Sequence, residues 1–224
     1  MYRLRITYMK SKSAIYIPAI DVSDVISKAL IRIGVKLVYN KRNVRPEIVN
    51  ASILPIGVES NGEICEVYIK EHMDIAYLVR EINKTMPDGM IILGAQYVDL
   101  NEEDINKRVY ASTYEFELVF DDEMFLGMNK KQVQDLKLWY RKMFEEYLSD
   151  SAILVLKKLP HRNERIDIKP DIIEYKFLID NRLRATIYTG KERMLNPEYI
   201  MIGYQEYINK EVKYNIKRTK ILYK

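Results

Sequence analysis

The chain has 224 residues, 36 basic and 32 acidic, for a formal net charge of +4, and a single cysteine. At 48% apolar residues it is too hydrophobic for a disordered chain, and the lone cysteine excludes an intramolecular disulfide or a multi-cysteine metal cluster. The start, Met1-Tyr-Arg-Leu-Arg, has no apolar run behind its charges, and no stretch approaches a membrane span, so a cytoplasmic protein is expected.

Residues 2–9 alternate, with Leu4, Ile6 and Tyr8 on one side and Arg3, Arg5 and Thr7 on the other. That pattern predicts a half-buried strand with a basic outer face. The spacing of Val22, Val25, Ile26, Ala29, Leu30 and Ile33 predicts a helix over 21–33, with Asp21 or Ser23 as cap and Gly34 at the left-handed stop. A short strand is expected at 36–39 and a basic loop over Lys41-Arg42-Asn43-Val44-Arg45-Pro46, with 47–54 returning as a strand. The stretch from Pro55 to Gly62 reads as turns, with Glu59 and Glu63 flanking Ser60-Asn61-Gly62. A strand over 63–69, a helix over 74–86 and a strand over 90–98 follow. The order β-α-β-β-α-β is the ferredoxin-like split plan.

Residues 101–107 are polar and acidic and read as a linker, which places one domain at 1–106 and a second at 107–224. The second half has a strand over 109–120 and a long helix over 129–149. Asn129 and Gln132 suit a capping box, and Val133, Leu136, Trp139, Tyr140, Met143 and Tyr147 form its apolar stripe. A strand over 152–159, a charged stretch over 160–169, strands near 172–179 and 183–189, a helix from Asn196-Pro197 to about 208 and a strand over 212–222 complete it. The expected fold class is α+β: two tandem ferredoxin-like units, antiparallel sheets with helices on one face, the second with an extra strand.

Charge is segregated along the chain: residues 1–50 are net +7, 51–106 net −8, 107–150 net −2 and 151–224 net +7. Basic residues interleave with some of the 18 tyrosines at both ends, around Tyr2-Arg3-Leu4-Arg5 and Lys213-Tyr214-Asn215-Ile216-Lys217-Arg218. Such faces can stack bases and neutralise phosphate, which makes RNA a candidate ligand; ordinary strands with polar outer faces have the same composition. His72 and His161 are 89 residues apart, and no metal-ligand spacing, glycine-rich phosphate loop or nucleophile elbow occurs. No catalytic residue and no metal ligand is assigned. Asp167, between Arg165 and Lys169, is either a fixed anionic acceptor or nucleophile, or an ion pair pinning a loop.

Three stretches together resemble the uncharacterised radical-SAM-linked proteins, a bacterial domain of unknown function beside or fused to cobalamin-domain radical SAM proteins. Leu54-Pro-Ile-Gly-Val-Glu-Ser-Asn-Gly-Glu63 resembles that family's Leu-Pro-Leu-Gly-Val-Glu-Ser-x-Gly-Glu, and Ala29-Leu30-Ile31-Arg32-Ile33-Gly34 its first-helix end. Ile166-Asp167-Ile168-Lys169-Pro170 is similar to its Val-Asp-Ile-Arg-Pro, Asn196-Pro197-Glu198 to its Arg-Pro-Glu, and Lys217-Arg218-Thr219 to its His-Arg-Thr. The family's Phe-x-Ser-His-Leu-Asp stands here as Tyr16-Ile-Pro18-Ala19-Ile-Asp21, without the His. Its proline-rich loop is shortened to Arg42–Pro46, and these departures mark a divergent member.

The resemblance implies association with a radical SAM protein, which would itself carry the iron–sulfur cluster, SAM and cobalamin; none is expected on this chain. The function expected first is a non-catalytic accessory or substrate-presenting module, with RNA as a candidate ligand of the basic ends. Its candidate residues are Arg3, Arg5, Asp21, Arg45, Glu59, Glu63, Asp167, Lys169, Lys217 and Arg218. The alternatives are a pseudouridine-synthase-like RNA-modifying enzyme with Asp167 as nucleophile, and a structural protein forming homodimers through tyrosine-rich sheet edges.

Overall fold

A computed structural model describes residues 1–40, 45–158, 161–179 and 181–224. The chain divides into two compact units, though not at residue 106. The first comprises Met1–Ser112, Thr189–Arg193 and Lys217–Lys224, and the second Thr113–Tyr188 and Met194–Ile216.

In the first unit, β1 (Tyr2–Lys10) lies between β4 (Met90–Val98) and β3 (Glu59–Ile69), antiparallel to both. A short β2 (Ile48–Asn50) pairs with the far end of β3, Ile48 opposite Val67 and Asn50 opposite Cys65. The order β4-β1-β3-β2 is that of a ferredoxin-like sheet. Helices α1 (Ala19–Arg32) and α2 (Ile75–Asn83) cover one face. Strand positions two apart and helix positions three and four apart meet there. Leu4, Ile6, Tyr8, Cys65, Val67, Ile69, Met90 and Ile92 form one buried cluster with Val22, Ile26, Ala29, Leu30, Leu78 and Ile82. Truncating any large member to Ala is expected to cost roughly 2–5 kcal/mol.

The helix ends are chemically explicit. Gly34 is at φ +85°, and its N–H and that of Val35 donate back to Ile31 and Leu30, closing α1 as expected. Its start differs from expectation. Pro18 is the cap residue and offers no side-chain cap, while Asp21 lies inside the first turn and is exposed. The Asp74 side chain caps α2, accepting from the Tyr77 N–H at 2.7 Å.

Four local expectations are corrected in this unit. Residues 36–39 form no strand; Leu37 and Tyr39 make isolated bridges to Ile69 and Pro46. Of 47–54 only β2 joins the ladder. Glu59 to Gly62 are not a turn but the first residues of β3: the turn is tighter and earlier, with Gly57 at φ +82°, and pairing overrides the turn-rich composition. The acidic linker carries a helical turn, α3 (Ile105–Arg108), whose Ile105 is buried beside Ala51, Val109 and Ile221. The predicted loop residues 41–44 lie outside the described residues.

The second unit has the same order. β10 (Lys213–Tyr223), β5 (Val109–Val119), β9 (Arg182–Tyr188) and β8 (Ile172–Phe177) are neighbours in that sequence. Strands β5 and β10 each give one segment to either unit. Helix α4 (Lys130–Ser149) starts with the expected capping box of Asn129 and Gln132. Its buried residues are Tyr140, Phe144, Tyr147 and Leu148, so the apolar stripe is turned from the predicted one and Trp139 is on its margin. Phe144 stacks on Tyr204 of α5 (Glu198–Ile208) at 4.3 Å, and the Tyr204 hydroxyl donates to the Tyr140 carbonyl at 2.7 Å. Gly203 permits this approach, since a Cβ there would lie 2.2 Å from the Tyr147 hydroxyl.

The addition to the second unit is not one strand but two. β6 (Leu154–Lys158) and β7 (Asn163–Asp167) form their own two-stranded sheet. The sequence Asn163-Glu-Arg-Ile-Asp167 has no apolar stripe, so only pairing with β6 reveals it as a strand. Leu159 and Pro160, between the two strands, lie outside the described residues. Among the described residues no helix is long and apolar enough to cross a membrane.

Candidate functional site: a cavity over a buried lysine

The inward alternation of β1 does not stop at Tyr8. Lys10 is next in phase after Leu4, Ile6 and Tyr8, and it is 1% exposed. Its ammonium donates to the Ile17 carbonyl at 2.6 Å. Burial pulls its pKa below the ordinary lysine value, against the opposing charge of Glu63. Across the β1–β3 ladder Lys10 faces Ser60.

Glu63 and Arg218 are buried beside it, at 2% and 1% exposure. Arg218 reaches β3 because β10 runs parallel to it there, Arg218 opposite Ser60. The guanidinium donates to both Glu63 oxygens at 2.9 and 3.1 Å, to Ser52 Oγ at 2.8 Å and to the Ile53 carbonyl at 2.6 Å. The Ser60 hydroxyl donates to Glu63 at 2.7 Å. Arg218 and Glu63 therefore neutralise one another. Among the described residues no carboxylate lies within ion-pair distance of Lys10.

A cavity of about 230 Å³ opens over this cluster. Tyr8, Lys10 and Glu63 form its strand side, Ala19, Ile20 and Val22 its helix side, and Asn50, Ser52, Ile53 and Leu54 the remainder. Asn50 donates from Nδ2 to Ser23 Oγ at 2.9 Å, while its buried Oδ1 has no partner.

The opposite face of the same sheet is built differently. Arg3, expected on a basic outer face, is 1% exposed, because residues 99–108 cover it. Glu66, buried and unsuspected from sequence, accepts from Arg3 at Nε (3.1 Å) and Nη2, from Arg5 at 2.7 and 2.9 Å, and from the Ile105 N–H at 3.2 Å. Glu102 accepts from Arg5 at 2.8 Å and from Arg108. An open groove of about 350 Å³ runs beside them past Thr7, Gln96 and Tyr223, and both arginines on it are engaged by these glutamates.

The remaining predicted residues scatter. Arg45 is exposed, and Glu59 meets Lys217 at 3.4 Å on a partly exposed edge. Asp167 and Lys169 belong to the second unit. The Asp167 carboxylate accepts from the Ile153 and Lys169 backbone N–H groups at 2.8 and 3.0 Å, and the Lys169 ammonium donates to the Leu148 carbonyl. Cys65 lies in the core, and burial pushes its thiol up to about 12. Among the described residues no three His, Cys, Asp or Glu are grouped as metal ligands. Of the predicted residues, then, Glu63 lines the cavity and Arg218 pairs with it, with Asp21 on the adjoining helical turn. Lys10 and Asn50 are additions; the signal for Lys10 was its parity with Tyr8.

A family described as an uncharacterized protein conserved in bacteria (DUF2344) matches residues 3–197. The chain belongs to this family. No curated protein matches it. Among solved structures, a Cbf5-Nop10-Gar1 complex matches at 9% identity and a TM-score of 0.47, over 97% of this chain. The chain spans 48% of that neighbour's length. A protein of unknown function from Galdieria sulphuraria matches at 8% identity and a TM-score of 0.27, over 97% and 98% of the two chains. A putative glycine cleavage system transcriptional repressor matches at 7% identity and a TM-score of 0.27, over the same shares. The fold follows from the strand order, independently of these remote likenesses.

Proposed function

We propose that this chain is a non-catalytic, cytoplasmic binding module that presents a small molecule to a radical SAM protein. The partner would carry the iron–sulfur cluster, SAM and cobalamin. One observation carries the reading: two segments that resemble radical-SAM-linked proteins, far apart in sequence, meet at one cavity. Leu54 and Glu63 of the 54–63 motif line it, and Arg218 of the Lys217-Arg218-Thr219 motif holds Glu63; Ala19 and Ile20, at the start of α1, line it from the stretch that departs from the family pattern. That motif residues line a cavity beside a buried lysine favours a ligand there.

RNA is the less favoured ligand. Arg3 and Arg218, two of the cations suited to phosphate, are buried in ion pairs, and Lys213 and Lys217 pair with Asp121 and Glu59. A nucleophilic role for Asp167 is also less favoured, since one of its oxygens accepts two backbone N–H groups.

The test is reconstitution with a cobalamin-domain radical SAM protein from the same genome. The chain should bind that protein and raise its turnover. Ile20→Trp, at an exposed position on the cavity rim, should bind the partner equally but abolish the stimulation. A partner that neither binds the chain nor responds to it would end the proposal.

A further inference from the structure

Lys10 is a buried cation with no carboxylate within ion-pair distance among the described residues, and the nearby Glu63 is already paired with Arg218. Lys10 and Glu63 on the cavity wall and Arg218, which pairs with Glu63, together carry one net positive charge. A solitary buried charge is costly, and an anion brought into the cavity would complete it. An ammonium has three donors, and the Ile17 carbonyl takes one. The start of α1 lies on the same cavity through Ala19 and Ile20, and its cap residue supplies no side chain. The Asp21 N–H of the first helical turn donates to the Pro18 carbonyl at 2.9 Å, which leaves the Ala19 and Ile20 N–H groups, with their positive partial charge, without an acceptor among the described residues.

The other lining groups constrain the rest of the ligand. Ile20, Val22 and Leu54 are apolar, and the buried Asn50 Oδ1 is an acceptor without a donor. A single positive charge matches a monoanion better than a phosphomonoester dianion. At about 30 Å³ for each water-sized volume, the 230 Å³ cavity holds roughly eight such groups.

Resting on the site reading above, we infer that the cavity binds a small monocarboxylate. Its carboxylate meets the Lys10 ammonium and the start of α1, its apolar body lies against Ile20 and Leu54, and a hydroxyl or amino group donates to Asn50.

The probe is 2-hydroxy-4-methylpentanoate, compared with its neutral amide and with inorganic phosphate, by calorimetry and by the thermal midpoint of the full chain. The acid should bind and raise the midpoint, the amide should bind at least about tenfold more weakly, and phosphate should not compete. Lys10→Met should lose the acid's binding by at least about tenfold. If that variant does not fold, the Lys10 side-chain resonances of the wild type provide the readout and should shift with the acid but not with the amide. Equal binding of acid and amide, undiminished binding to Lys10→Met, phosphate displacing the acid, or no binding of the acid at about 10 mM overturns the inference. The two proposals fail separately. If Ile20→Trp abolishes partner stimulation but the acid does not bind, the ligand class is wrong and the site stands. If Ile20→Trp leaves stimulation intact, the site reading itself falls.

Discussion

The two faces of the first unit's sheet each bury arginine and glutamate, yet they end in different electrostatic states. On the face away from the helices, Arg3 and Arg5 share Glu66, while Glu102 takes Arg5 and Arg108. The guanidinium of Arg3 also finds the carbonyls of Asp99, Glu102 and Glu103. On the helix face, Arg218 and Glu63 balance, and Lys10 has no carboxylate within ion-pair distance among the described residues. The first arrangement is closed and holds residues 99–108 against the strands. The second leaves a charge facing a cavity. Buried charge alone therefore does not distinguish the two faces; the balance of the buried charges does.

Glu66→Gln should have the largest effect. It leaves two arginines without their shared carboxylate, and breaking a buried pair costs about 3–5 kcal/mol. Urea unfolding reads this directly, and a loss below about 1 kcal/mol, typical of a surface pair, would show that the closed cluster is solvated.

The cavity face should respond with the opposite sign. Lys10→Met removes a solitary buried charge and keeps much of the packing volume, so stability should hold or rise by about 1 kcal/mol. A destabilisation comparable to that of Glu66→Gln would mean that Lys10 is as fully paired as Arg3, and the contrast would collapse.

Alkaline pH separates the same groups. Burial, helped by the nearby Glu66 and Glu63 charges, raises the Cys65 thiol from about 9 to about 12. The unfolded chain loses this proton first, so stability should be full below pH 9 and fall as pH rises toward 12. Burial raises the Tyr223 hydroxyl to about 12, which adds to the fall. Lys10 acts in reverse. Its lowered pKa means that the folded chain sheds a proton before the unfolded one does, a gain as pH approaches 10.5. Urea titrations at about pH 8 and 10 should show a loss that is smaller in Cys65→Ala and larger in Lys10→Met. Identical slopes in all three chains would contradict the burial of both groups.

The smallest effect belongs to the exposed edge. Lys217→Ala removes a pair to Glu59 in which both side chains are about 40% exposed, worth about 0–1 kcal/mol. It should leave both faces intact by urea unfolding, and a larger loss would move the first-unit end of β10 into the energetic centre.

Much of the architecture was legible locally. Period-two runs marked β1, the 63–69 part of β3 and β5, helical spacing with Gly34 marked α1 and its stop, and Asn129 with Gln132 marked the start of α4. These signals lie within one or two turns of chain, where sterics and capping act. β7 was not legible, because its residues carry no apolar stripe and only β6 makes them a strand. Nor was the continuation of β3 back to Glu59, which pairing with β1 and β10 imposes on a turn-rich composition.

The sequence by itself determined the element order, the α+β class and the helix-facing stripe of the first sheet, and it offered Glu63 and Arg218 as candidate residues. Tertiary structure alone decided which charges meet. Arg3 and Glu66 are 63 residues apart and Glu63 and Arg218 are 155 apart, distances over which no periodicity or local propensity reports. It also placed Arg3 and Arg218 of the basic ends in buried pairs and left Lys213 and Lys217 exposed, since a strand's second face is exposed or covered according to what the rest of the chain lays over it. Lys10 stands between the two: its inward phase was written in β1, but its lack of a counter-ion emerged only once Arg218 had claimed Glu63.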